Sequence, residues 1–202
     1  MLIVSAILQL LKPLAYLRIR HPTKVVFDFW LPIFFAASIW LFFFYVIKSP
    51  RLFGGNGFIT GINGLLQVLV GFYIAGLAAI ATFQNPGMDD KLSGTPVTLS
   101  ESYRGQSSKV ELTRRRFLCY LFGYLSWISL SLYLVSVIVM VSSGKISELL
   151  LHEYFYALKF GFLFIYLFVL SNLFVTTMLG LYYMSYRIHV FEPRDSTERH
   201  RH

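Results

Sequence analysis

Four apolar stretches, at about residues 25–47, 58–83, 117–141 and 160–184, constrain this chain more than any other feature. Each runs roughly 23–26 residues, or about 35–39 Å as an α-helix at 1.5 Å per residue. A bilayer core is about 30 Å thick, so each stretch is long enough to cross it with some tilt. A soluble helix shows polar residues every turn or so, yet residues 160–175 offer only Tyr166, Ser171 and Asn172. The pattern predicts an all-α integral membrane protein with four transmembrane helices, its transmembrane domain covering residues 25–186. A chain of 202 residues then has no room for a separate soluble domain.

Charge predicts the orientation. Of the 18 Lys and Arg, fourteen fall in residues 1–24, in the 84–116 connection or in the 187–202 tail. The other four are Lys48, Arg51, Lys145 and Lys159. An excess of Lys and Arg marks the cytoplasmic side. Both termini and the loop between helices 2 and 3 are therefore expected in the cytoplasm, N-in/C-in. The net charge of +8 reads as orientation and contact with membrane lipid, and no direct contact with nucleic acid is expected.

Residues 1–24 lack the basic leader of a signal peptide. Their polar residues Ser5, Gln9, Lys12 and Tyr16 form one stripe of an otherwise apolar helix. An N-terminal amphipathic interfacial helix is expected, with Lys12, Arg18 and Arg20 at lipid headgroups. The alternative is a helix packed under the bundle in protein contacts.

The second span carries small residues at alternating spacings of four and three, with Val68 filling the gap: Gly57, Gly61, Gly64, Gly71, Ala75, Ala78, Thr82. Helices in lipid associate through close backbone approach and dispersion. Gly61, Gly64, Gly71 and Ala75 are thus expected packing contacts, against another span or another copy of the chain. Further along, Ser147 is expected to cap a helix that begins at Glu148 and runs into the fourth span. Trp30, Tyr45, Tyr154 and Tyr182 lie near span ends, as an aromatic belt requires.

Chemistry is sparse. Asp28 lies about one turn into the first span, near Lys24 and Arg20, and Lys159 sits at the opposite boundary. There is no metal-ligand spacing, no phosphate-binding glycine loop, and Cys119 is the single cysteine. Neither an enzyme nor a bound cofactor or metal is expected. Ser129, Ser171 and Asn172 are mid-span polar groups that an oligomer could turn toward an axis. A small channel or a holin-like protein is therefore the second reading.

The 84–116 connection is longer than a bare helix link needs to be. Asn85–Asp90 carries turn chemistry, and Val97–Leu99 could pair with Val110–Leu112 as a hairpin around Gly105. Thr113 is placed to cap the third span. Arg114, Arg115 and Arg116 follow it and oppose the helix macrodipole, so they call for lipid phosphates or an acidic partner. The loop reads as a docking surface, with Lys91, Tyr103, Arg104, Lys109, Arg114, Arg115 and Arg116 as candidate partner contacts.

Size, four spans and two internal ends, together with three segments, carry a resemblance. The segments are Ala81-Thr-Phe-Gln-Asn-Pro-Gly-Met-Asp-Asp90, Leu112-Thr-Arg-Arg-Arg-Phe-Leu118 and Phe122-Gly-Tyr124. With these the chain resembles the membrane subunit of the Kiwa antiphage defence system of bacteria. The resemblance implies an inner-membrane homo-oligomer, a tetramer, acting as sensor and scaffold. It also implies a cytosolic DNA-binding partner, whose action on phage DNA this subunit couples to phage arrival at the envelope.

Overall fold

The computed structural model describes residues 9–19, 23–47, 51–54, 57–82, 86–90, 98–103, 106–149 and 152–187. Among the described residues, four helices are long and apolar enough to cross a bilayer, the pattern of a multi-pass membrane protein. They are α1 (Val26–Ile47), α2 (Phe58–Thr82), α3 (Arg114–Leu149) and α4 (His152–Tyr182), the last continued by a π-turn at Tyr183–Arg187. α3 and α4 both overrun the apolar stretches that announced them. The expected cap at Ser147 is overturned, because Ser147 lies inside α3 and the next helix starts at His152. The Ser143 hydroxyl donates back to the Met140 carbonyl at 2.9 Å. Its polarity is absorbed within the helix, and Ser142-Ser143-Gly144 does not end it.

α2 packs on α3, α3 on α4, and α4 on α1. α4 is the most enclosed of the four. The connection from α1 to α2 turns at Gly54, whose φ of +96° suits glycine. Phe122 of α3 fills the middle of the α2–α3–α4 contact. A Cβ on Gly76 would lie 2.7 Å from its ring, and one on Gly180 would lie 2.9 Å from neighbouring Leu121. The bare backbone at Gly76 admits this ring, and that at Gly180 admits the adjoining Leu121.

Between α2 and α3 stands an antiparallel hairpin of β1 (Thr98–Tyr103) and β2 (Gln106–Glu111). Leu99 pairs with Val110, as the sequence predicted, and pairing continues to Tyr103 and Gln106. Leu99 and Leu112 are buried at its base. The outer surface of the helices is apolar: Val68, Ile138, Val141 and Ile165 are all mostly exposed. In water such a surface would drive aggregation; against acyl chains it is the solvated face.

Residues Lys12–Arg18 form a 3-10 helix that packs on α3. Residues 1–8 of the expected amphipathic helix, Ser5 of its polar stripe among them, lie outside the described residues, and within the described part the stripe splits at Tyr16. Tyr16 is 1% exposed, while Lys12 and Arg18 are exposed. Pro13 near the start offers no backbone donor, and its fixed φ suits a first turn.

Candidate functional site: a buried ion pair beside a basic corner

Pro32 organises the first part of the site. Proline has no N–H, so the carbonyl four residues earlier, that of Asp28, loses its helical donor. The ring also crowds that carbonyl, and the helix is widened to a π-turn over Val26–Trp30. In lipid an orphan carbonyl needs a donor from another helix. Asn172 of α4 supplies it, its Nδ2 donating to the Asp28 carbonyl at 2.9 Å. The Asn172 Oδ1 in turn accepts from the Tyr124 hydroxyl of α3 at 2.7 Å. One carboxamide thus joins α1, α3 and α4.

The Asp28 side chain is 3% exposed and ion-paired with Lys24, one turn earlier. Tyr16 completes the cluster. Its hydroxyl donates to Asp28 Oδ1 at 3.4 Å, and its ring stacks on Tyr124 at 4.8 Å between centroids. Lys24 Nζ lies 4.5 Å over the centre of the same ring. A phenol is a neutral donor at pH 7, so Tyr16 brings a hydrogen bond to the carboxylate without a second charge. Asn172→Leu removes both of the carboxamide's bonds. At about 0.6–2 kcal/mol per interhelical hydrogen bond in lipid, thermal unfolding in detergent micelles should show a loss of about 1–4 kcal/mol.

The second part lies at the end of the bundle that carries Arg114–Arg116. The fork of Arg115 holds both oxygens of Asp89, Nε to Oδ1 at 2.7 Å and a terminal nitrogen to Oδ2 at 3.1 Å. Its other terminal nitrogen donates to the Ile80 carbonyl at 3.0 Å, in the last turn of α2. The Asp90 carbonyl accepts from the Arg114 N–H at 3.1 Å, and Thr113 Oγ1 accepts from the Arg116 N–H at 3.4 Å. Thr113 is thus in the predicted capping position. The Asp89 carboxylate also relieves the repulsion between these arginines and the positive end of the helix.

Arg115 therefore bolts the start of the loop to α2 and α3. A lysine there keeps the charge but loses the fork. Arg115→Lys is expected to leave membrane insertion intact and to raise hydrogen exchange in the Pro86–Asp90 turn. Hydrogen bonding to Arg115 holds the Asp89 carboxyl below its ordinary range. The Asp89 arm of the clamp is thus at full strength above the ordinary carboxylate pKa and is lost as pH falls through the lowered one, while the bond to the Ile80 carbonyl remains.

The structure brings some of the predicted site residues together and separates others. Arg114, Arg115 and Arg116 form one corner at the foot of the hairpin. Tyr103 lies on β1 opposite Gln106 and Lys109 on β2 opposite Ser100, so the ladder does not pair them with each other. Lys91, Arg104 and Arg20 lie outside the described residues. Gly61, Gly64, Gly71 and Ala75 all lie on the exposed face of α2, and a Cβ added at any of the three glycines would meet nothing within 4 Å. Ser129, Ser171 and Asn172 are buried within a single chain's bundle, not on its outer surface. Sequence reasoning missed the Asp28–Asn172 tie. Its signal was Pro32, four residues after Asp28. Comparisons with protein-family models, curated proteins and solved structures returned no match.

Proposed function

We propose that this protein is a membrane-embedded scaffold that presents its α2–α3 loop to a cytosolic protein. The observation that carries the reading is an ordered connection: the Arg115–Asp89–Ile80 clamp at the foot of the helices and the antiparallel hairpin of Thr98–Tyr103 and Gln106–Glu111. A connection that serves only to join two helices needs neither. Positive-inside logic puts this loop in the cytoplasm. On the resemblance to the Kiwa membrane subunit, we propose the bacterial inner membrane as its site, antiphage defence as its role and a DNA-binding protein as the recruited partner. In this reading copies assemble, as a tetramer by the resemblance, through the open face of α2 at Gly61, Gly64, Gly71 and Ala75.

The burial of Ser129, Ser171 and Asn172 inside one chain gives no support to a pore lined by these residues between copies. The test is a pull-down comparing the intact chain with one whose residues 91–111 are a short Gly/Ser linker. Loss of the partner with normal insertion is expected. Equal recovery from both would remove the docking role.

A further inference from the structure

Gln67 puts a carboxamide where a bilayer offers nothing to bond it. It lies three residues from the midpoint of α2, about 4.5 Å along the axis, and so among acyl chains. It is exposed on the outer surface of the bundle. Its stem is too short to carry the amide to the headgroups, as a lysine stem does. A carboxamide has two donor hydrogens and an oxygen that accepts two bonds. Among the described residues the Gln67 amide makes one: Nε2 donates to the Tyr133 hydroxyl of α3 at 3.1 Å. With the amide turned over, its oxygen would accept from the same hydroxyl, and both N–H groups would be left over instead. Polar groups left without partners in hydrocarbon are costly. The exposed side chains within a turn of Gln67 and Tyr133, namely Val68, Leu130 and Leu134, are apolar and offer none.

We propose that Gln67 is a self-complementary contact between two copies of this chain, its carboxamide bonded to the same carboxamide of a second copy in the middle of the bilayer. This rests on the reading that copies meet on the open face of α2, and it adds the bond that sets where they meet. Gly64, Gln67, Gly71, Ile74 and Ala78 are spaced by three and four residues and are all exposed. That is the spacing of a heptad seam, with small residues in one set of layers and Gln67 and Ile74 in the other. A Cβ added at Gly64 or Gly71 would meet nothing within 4 Å, so a second backbone can come close on either side of Gln67. Two copies inserted in the same direction and paired about a two-fold axis on this seam set Gln67 opposite Gln67 at one depth. A carboxamide is donor and acceptor at once, so the identical group completes it. Each amide then gives one bond and takes one. Lipid tails can do neither, which is why a second copy is the occupant this chemistry selects.

The test is oxidative cross-linking of the full chain in membranes of cells that express it at low level, on a Cys119→Ser background. Ile74→Cys, 55% exposed and one heptad on from Gln67, reports contact on the seam; Ile165→Cys, 64% exposed on α4, reports random collision. A disulfide-linked dimer of the chain is expected from Ile74→Cys and not from Ile165→Cys. Adding Gln67→Leu should slow the Ile74→Cys cross-link by about tenfold or more, the effect of losing two reciprocal bonds in lipid. Tyr133→Phe breaks the bond within the chain but keeps the Gln67 amide, and should leave most of the cross-linking in place. Absence of the Ile74→Cys dimer with Gln67 intact would remove the seam and this contact together. An equally fast cross-link after Gln67→Leu would overturn the Gln67 contact while copies still meet on the seam. Equal slowing by Tyr133→Phe and Gln67→Leu would assign the amide to the tie between α2 and α3 and overturn the proposal.

Discussion

Replacing Asp28 with leucine while Lys24 stays is expected to destabilise the bundle by about 3–5 kcal/mol, the usual cost of leaving a buried charge without its partner. The carboxylate is 3% exposed and its lysine 12%, so water can replace little of what is lost. The Lys24 stem can move its ammonium toward the headgroups, which places the result toward the lower end. Tyr16 loses its hydroxyl acceptor in the same substitution. The Asn172 bond should survive, because it is made to the Asp28 backbone. Leucine is thus a cleaner probe of charge than of helix geometry.

The double variant Asp28→Leu/Lys24→Met is the decisive comparison. Replacing both members of a buried pair by apolar residues is often neutral or better. The double variant should therefore recover most of the loss. Unfolding midpoints in detergent micelles for the four proteins of the cycle give the coupling directly. If Asp28→Leu alone unfolds at the same point as the parent chain, the ion pair contributes nothing. If single and double variants lose equally, the loss belongs to packing and not to charge.

The spans were legible because lipid imposes a length and a composition that few other structures share. Their far ends were less so: Thr113 marked where the third helix starts, but the polar run Ser142-Ser143-Gly144 does not end it, and it continues to Leu149. The hairpin was legible from Leu99 and Val110, which carry the apolar alternation into its buried base. The orphan carbonyl at Asp28 was deducible from Pro32, but its donor was not. Asn172 is far away in sequence, and only the adjacency of α1 and α4 makes it a partner. The three arginines look equivalent in sequence. The packing of α2 against α3 is what turns Arg115 onto Ile80 and Asp89.

Glycine gives the sharpest division between what spacing predicts and what packing requires, and with it the second large effect. The regular seam through Gly61, Gly64 and Gly71 faces outward, while Gly76, which lies off that seam, meets the Phe122 ring. A side chain there must displace a ring that is 2% exposed and set edge-on to Tyr73 at 6.3 Å. Gly180 admits the adjoining Leu121. Gly76→Val should therefore cost about 1–3 kcal/mol or more by overpacking, seen as a lowered unfolding midpoint of the single chain in micelles. Gly64→Val meets open space and should leave that midpoint within about 0.5 kcal/mol, as surface changes do. If copies meet on the seam, Gly64→Val should instead shift the particle mass by size-exclusion chromatography with light scattering, and Gly64→Ala should shift it less. Equal stability of Gly76→Val and Gly64→Val would mean that the Phe122 slot does not hold α2 to α3. An unchanged mass for Gly64→Val would remove the seam from assembly and leave it facing lipid.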